Sequence, residues 1–168
     1  MAEPRSKDAI RKAEERKKKK KDKDLLLKDL CARLPYGVTG SVENHTGTFV
    51  VKTVFNKGEY IDGYFKEFNR LRGYHVEEFK PYLRPMSSMT EEEKKEFQSF
   101  FPGCFGDQWL DIEEGIIEIF ECSSTMTLYL YDFERMIDWL NAHHFDYRGL
   151  IEKGLAIEVT KENNPYKE

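Results

Sequence analysis

Three cysteines in 168 residues, Cys31, Cys104 and Cys122, are odd in number and far apart, and no CxxC pair occurs. Neither a disulfide framework nor a zinc site follows from that pattern, and a reducing cytoplasm is the simplest setting. No apolar run approaches the length of a membrane span, and the charged N-terminus carries no hydrophobic signal segment. A cytoplasmic protein with no membrane partner is expected. A glycine-rich phosphate loop, a Walker lysine, a GxSxG elbow and an HExxH helix are also missing. Those gaps remove the usual grounds for a nucleotide, a metal or a serine nucleophile, so no cofactor, metal or catalytic residue is assigned. Carboxylates are plentiful, but Glu91, Glu92 and Glu93 suit a helix start, and Glu113 and Glu114 suit a solvated link.

Charge and aromatic rings are what the chain has in quantity. Charged residues make up 35% of the sequence and mean hydropathy is -0.70, so the surface is very polar. Twelve Phe, nine Tyr and two Trp nevertheless supply a core and argue against wholesale disorder. The net charge of -4 conceals an asymmetry. Residues 1–28 hold twelve Lys/Arg and six Asp/Glu, or +6, and the remainder holds fifteen and twenty-five, or -10. The chain is a basic arm on an acidic body, and such a body suits a protein partner better than a nucleic acid. Residues 1–23 contain few apolar side chains and include Lys17, Lys18, Lys19, Lys20 and Lys21, so they form either a solvent-exposed helical arm or a mobile one. Non-specific contact with nucleic acid is one expectation for these lysines, and solubility is the plainer one.

Residues 24–160 read as a single domain, with a polar tail at 161–168. Asp24 is placed to cap a helix in which Leu26, Leu27, Leu30, Cys31 and Leu34 repeat at helical spacing before Pro35 and Gly37 end it. Cys31 is then a packing residue. Strands at 38–44, 48–55 and 59–65, joined by Asn44-His45-Thr46-Gly47 and Asn56-Lys57-Gly58, predict an antiparallel meander, with a further strand at 74–79. Pro81 and Pro85 keep 80–89 extended. Thr90 and Glu93 form a capping box that opens a helix at 91–101, docking Phe97, Phe100 and Phe101. Cys104 follows in a loop as the exposed thiol, and 116–121 and 125–131 read as strands, with Tyr129 and Tyr131 sharing a face.

The strongest helical period comes next: Phe133, Met136, Ile137 and Leu140 lie on one stripe behind an Asp132 cap, and Trp139 widens it. Asp146 is placed to cap a second, short helix carrying Tyr147, Leu150 and Ile151, which Gly154 stops before a closing strand at 155–159. The expected fold is therefore α+β: an antiparallel sheet of five to seven strands, three to four packed helices and a basic N-terminal arm.

His143, His144, Asp146 and Arg148 make the best polar cluster in the chain. Neighbouring His and Asp residues suit metal or acid/base chemistry. The competing reading is a structural corner in which a histidine meets the helix end and Asp146 caps a turn, and it is preferred because no other His or Cys stands at ligand spacing. Helix, turn, helix and strand here also follow the order of a winged DNA reader. Five Lys/Arg against eight Asp/Glu over residues 130–168 argue against that use.

Three runs, LLLKDLCARLPYGV at 25–38, VEEFKPYLRPMSSMTEEEKKEF at 76–97 and IDWLNAHHFDYRGLIEKGLAIE at 137–158, together resemble a family of short uncharacterised proteins from anaerobic gut bacteria and their prophage-like elements. The resemblance implies a cytoplasmic accessory protein of phage or mobile-element type. It supplies no activity, cofactor or catalytic residue, and it does not extend to the basic residues 1–23. The sequence as a whole leads to a non-enzymatic module that binds a partner protein. A nucleic-acid-associated protein using the lysine arm is the alternative, and a small metal-dependent or hydrolytic enzyme at His143, His144, Asp146 and Arg148 ranks third.

Overall fold

Lysine, arginine, glutamate and leucine dominate the beginning of the chain, and all are good helix formers. In the computed structural model, which describes residues 7–100, 110–111, 118–119 and 130–166, they form one uninterrupted helix, α1 (Lys7–Arg33). Asp24 does not start a new helix, because the lysine run before it contains no breaker. Residues 7–21 are exposed, and only the last part of α1 reaches the body. There Leu26 and Leu30 are buried, as expected, but Cys31 points to solvent and the other buried positions are Asp29 and Arg33. Pro35 lies in a 3-10 turn after the helix, and Gly37 takes a left-handed φ of 79° that a Cβ would resist.

The meander forms as predicted: β1 (Val38–Val42), β2 (Phe49–Phe55) and β3 (Tyr60–Phe65) pair antiparallel in sequence order. A register shift between Val51 and Thr53 breaks the alternation of β2, so Phe49 and Val51 are buried while Val54, not Thr53 or Phe55, turns partly inward. The fourth strand lies earlier than 74–79. It is β4 (Leu71–His75), and a 3-10 turn at Val76–Glu78 separates it from β5 (Phe79–Leu83). Pro81 and Tyr82 therefore belong to a strand rather than to an irregular connection. Two short strands, β6 (Leu110–Asp111) and β7 (Glu118–Ile119), pair with each other.

The closing segment contributes β8 (Ile157–Glu158), which runs parallel to β5. The main sheet is thus six-stranded and mostly antiparallel, in the order β4-β3-β2-β1-β5-β8. With three α-helices among the described residues, the fold is α+β. Thr90 and Glu93 form both halves of their capping box at the head of α2 (Glu91–Gln98). Phe97 is buried and Phe100 half-buried, while Phe101 and the cysteines at 104 and 122 lie outside the described residues.

α3 (Leu130–Ala142) takes in Leu130 and Tyr131, so these are helical rather than the end of a strand and Asp132 is inside the helix. Tyr129 lies outside the described residues. Of the predicted stripe, Met136, Trp139 and Leu140 are buried, Phe133 is exposed, and Asn141 is unexpectedly buried. Two apolar clusters result. One joins α1 to the sheet through Leu26, Leu30, Phe49, Ile61 and Phe79, and the other joins α2 to α3 through Phe97, Trp139 and Phe145.

Candidate functional site

The predicted polar cluster is built where the end of α3 meets the end of α1. Arg33 is fully buried; its Nε donates to Asp29 Oδ2 at 2.8 Å, and its Nη2 donates to the Phe145 carbonyl at 2.6 Å. Nη1 reaches the Leu140 carbonyl at 3.5 Å, so the guanidinium also satisfies the open end of α3. Asp29, equally buried, accepts a second guanidinium through Oδ1 at 2.9 Å from Arg148. Tyr147 lies beside both arginines, with ring centroids 5.4 Å from Arg33 and 4.5 Å from Arg148, and its hydroxyl donates to Asn141 Oδ1. Asp29 and Arg33 were missed because charged residues at i and i+4 ordinarily mark a solvated face. Their position within a leucine stripe was the available signal.

Asp146 caps a turn. Its two carboxylate oxygens accept the backbone N–H groups of Leu150 and Ile151 at 2.9 and 2.7 Å, but residues 146–154 stay in turns, so no second helix forms. Asp146 N–H and the His144 carbonyl bracket Arg84: Arg84 N–H donates to His144 O at 2.8 Å, and Asp146 N–H donates to Arg84 O at 2.7 Å. The Arg84 side chain forms a two-pronged pair with Glu93 at 2.7 and 2.8 Å and lies 4.2 Å from the Phe145 ring. That pairing holds the Glu93 carboxyl below its ordinary range. The three sequence runs at 25–38, 76–97 and 137–158 therefore meet in this corner.

His143 Nδ1 donates to the Trp139 carbonyl at 2.9 Å, closing the last turn of α3. His144 adopts a left-handed φ of 59° and stacks on Tyr166, centroids 3.8 Å apart at 8°. Burial, then the neighbouring Arg33, His143 and Arg84 charges, push the His144 imidazole down to about 3. Burial raises the Tyr166 phenol to about 12, and its hydroxyl donates to the Tyr82 carbonyl at 2.8 Å. Both rings are therefore neutral near pH 7. Tyr166, within the segment read as a tail, thus packs into the body.

A cavity of about 840 Å³ opens beside this stack, bordered by Arg84, His143, His144, Lys161 and Tyr166. Asp146 and Arg148 are not on its wall, so the structure divides the predicted cluster between a cavity rim and a buried ion network. The Arg84 charge is committed to Glu93, and His144 is held unprotonated. Among the described residues no group of three His, Cys, Asp or Glu residues is arranged to hold a metal ion.

A second surface was not anticipated. β4 is the outer strand of the sheet, and the Val76 N–H to Glu59 carbonyl bond sets the alternation of its pairing with β3. Following the register, Leu71, Gly73 and His75 direct their backbone groups away from β3. Glu78 occupies the His75 N–H at 2.8 Å, which leaves the Leu71 and Gly73 groups facing outward. Leu71 and Phe68 are 70% and 75% exposed, an unusual apolar content for an open edge. On the core face of this edge lies a cavity of about 650 Å³, lined by His45, Phe65, Phe68, Arg70, Arg72 and Tyr74 among others.

Lys17, Lys18, Lys19, Lys20 and Lys21 project all round the exposed part of α1 and are not gathered on one face. No described helix is long and apolar enough to cross a membrane. Comparison of the chain with family models, with curated proteins and with solved structures returns no match.

Proposed function

We propose that the protein is a non-enzymatic interaction module that takes an extended segment of a partner protein along β4. The observation that carries this reading is the open edge itself, where outward backbone groups at Leu71 and Gly73 are flanked by the exposed apolar side chains of Phe68 and Leu71. An added strand satisfies those groups and covers the apolar ones in one step. The corner around Arg33 fits a scaffold better than a catalyst, because its charges are spent on one another and on helix-end carbonyls. The resemblance to proteins of gut anaerobes and prophage-like elements suits an accessory role in a mobile-element or host-interaction setting, within the cytoplasm.

Gly73→Pro tests the edge, since proline removes an outward N–H without disturbing the inner ladder. The variant should keep the thermal midpoint and circular dichroism of the parent while losing a stoichiometric partner that the parent retains from host lysate and that slows exchange of the Leu71 amide. Equal retention by both proteins, or exchange slowed elsewhere, would remove β4 from the binding surface.

The lysine arm supports a second reading, in which the exposed helix gives affinity for nucleic acid. Binding to a mixed-sequence duplex should then fall steeply with added salt, with several counterions released, and should vanish when residues 1–23 are deleted. Undiminished binding by the shortened chain would dismiss the arm as the contact.

A further inference from the structure

Resting on the edge-binding reading, we infer that the segment taken up by β4 is acidic, and that its carboxylates enter the cavity beneath Arg70 and Arg72. Each step follows from register. Ile61, Gly63 and Phe65 face the core from β3, and the residue opposite each on an antiparallel neighbour shares its face. Tyr74 lies opposite Ile61 and Arg72 opposite Gly63. The ladder ends at Tyr64 and Leu71, and Arg70, one residue beyond it, lines the same cavity as Phe65, Arg72 and Tyr74. The core face therefore runs out to the sheet edge and ends in two guanidinium groups.

Gly63 makes the room. A Cβ there would overlap the Val50 carbonyl and come within 2.8 Å of the Phe49 ring, so this position carries no side chain under Arg72. The floor is aromatic: Tyr74 packs against Phe49 and Phe65 at centroid distances of 5.3 and 6.1 Å, and His45 stacks on Phe65 at 5.7 Å. Phe68, exposed at the rim, supplies a wall.

Charge selects the occupant. Elsewhere in the body, Arg33, Arg84 and Arg148 are paired with carboxylates and Arg135 lies over the Phe100 ring. Arg70 and Arg72 have no carboxylate within ion-pair distance among the described residues, and neither Asp nor Glu lines the cavity. Two uncommitted guanidinium groups side by side, on a body that is otherwise strongly acidic, form a local anion site with an apolar floor. A carboxylate on a peptide uses both the charge and the strand edge, whereas a nucleic acid strand would leave the outward N–H and C=O groups of Leu71 and Gly73 unpaired. An alternating acidic and β-branched segment meets every feature at once, with its acids inward to the arginines and its backbone on β4.

The full chain should be titrated with three fluorescent peptides that alternate Val with Glu, Gln or Lys, and with a short oligothymidylate. The Glu peptide should bind saturably, at least about tenfold more tightly than the Gln peptide, with slowed exchange at Leu71 and Gly73. Its affinity should fall as salt is raised and drop about tenfold or more in R70Q/R72Q. Equal binding of the Glu and Gln peptides, both protecting Leu71, would overturn the acidic occupant while leaving the edge reading intact. Unchanged affinity in R70Q/R72Q, oligothymidylate displacing the Glu peptide with equal affinity, or failure of all three peptides would also overturn it. The Gly73→Pro experiment judges the edge separately.

Discussion

The Asp29→Ala protein should unfold about 3–5 kcal/mol more easily than the parent in urea at pH 7. Asp29 is the only carboxylate bound to Arg33 and Arg148 among the described ion pairs, at 2.8 and 2.9 Å, and it is fully buried. Its removal leaves one guanidinium wholly buried and another mostly so, with their negative partner gone. Bulk water cannot replace the carboxylate without opening the junction of α1 and α3. Since small domains have a total stability of about 5–15 kcal/mol, the loss should move the midpoint far enough to expose partial unfolding at moderate temperature. Arg33→Met together with Asp29→Leu should recover part of the loss, because it removes the buried Arg33 charge. Recovery should stay incomplete, as Arg148 is still without its carboxylate and the Leu140 and Phe145 carbonyls lose their donor. A change below about 1 kcal/mol in Asp29→Ala would show the arginines to be hydrated.

Acid should weaken the parent protein through His144 before carboxylates take effect. The unfolded imidazole takes up a proton near pH 6.5, whereas the folded one resists until about pH 3. Between those values the unfolded chain holds more protons, so stability falls as pH is lowered, by up to about 1.4 kcal/mol per pH unit and about 5 kcal/mol in total. Glu93 adds a loss of the same sign, present only as pH falls below its unfolded value of 4.5 toward its lowered folded value. The window from about 6 to 5 therefore isolates the histidine. His144→Asn, which tolerates the left-handed backbone, should flatten the urea midpoint in that window relative to the parent. Parallel pH profiles for the two proteins would place the proton uptake elsewhere.

Local chemistry was the legible part of this fold. Turn residues separate β1, β2 and β3, and Thr90 with Glu93 states the start of α2, because each signal acts within a few residues. The alternation of apolar residues could not reveal the shift between Val51 and Thr53, since a bulge changes which face follows without changing composition. β4 escaped for a related reason: its Leu71, Arg72 and Gly73 are all exposed, so an edge strand leaves little periodic trace. The cluster of His143, His144, Asp146 and Arg148 was visible as a group, but the partners that decide its roles were not. Asp29 takes Arg148 across 119 residues, and Arg84 reaches His144 and Asp146 through backbone bonds that no side-chain pattern encodes.

The connection between Arg33 and Phe145 spans 112 residues, and it bears on how the protein is made. α1 is synthesised well before the groups that anchor it, and β8 joins β5 later still. Until then the leucines of α1 and a guanidinium destined for the interior remain in water, so folding waits on loop closure. Until Phe145 arrives, Leu26 and Leu30 are apolar surface open to aggregation.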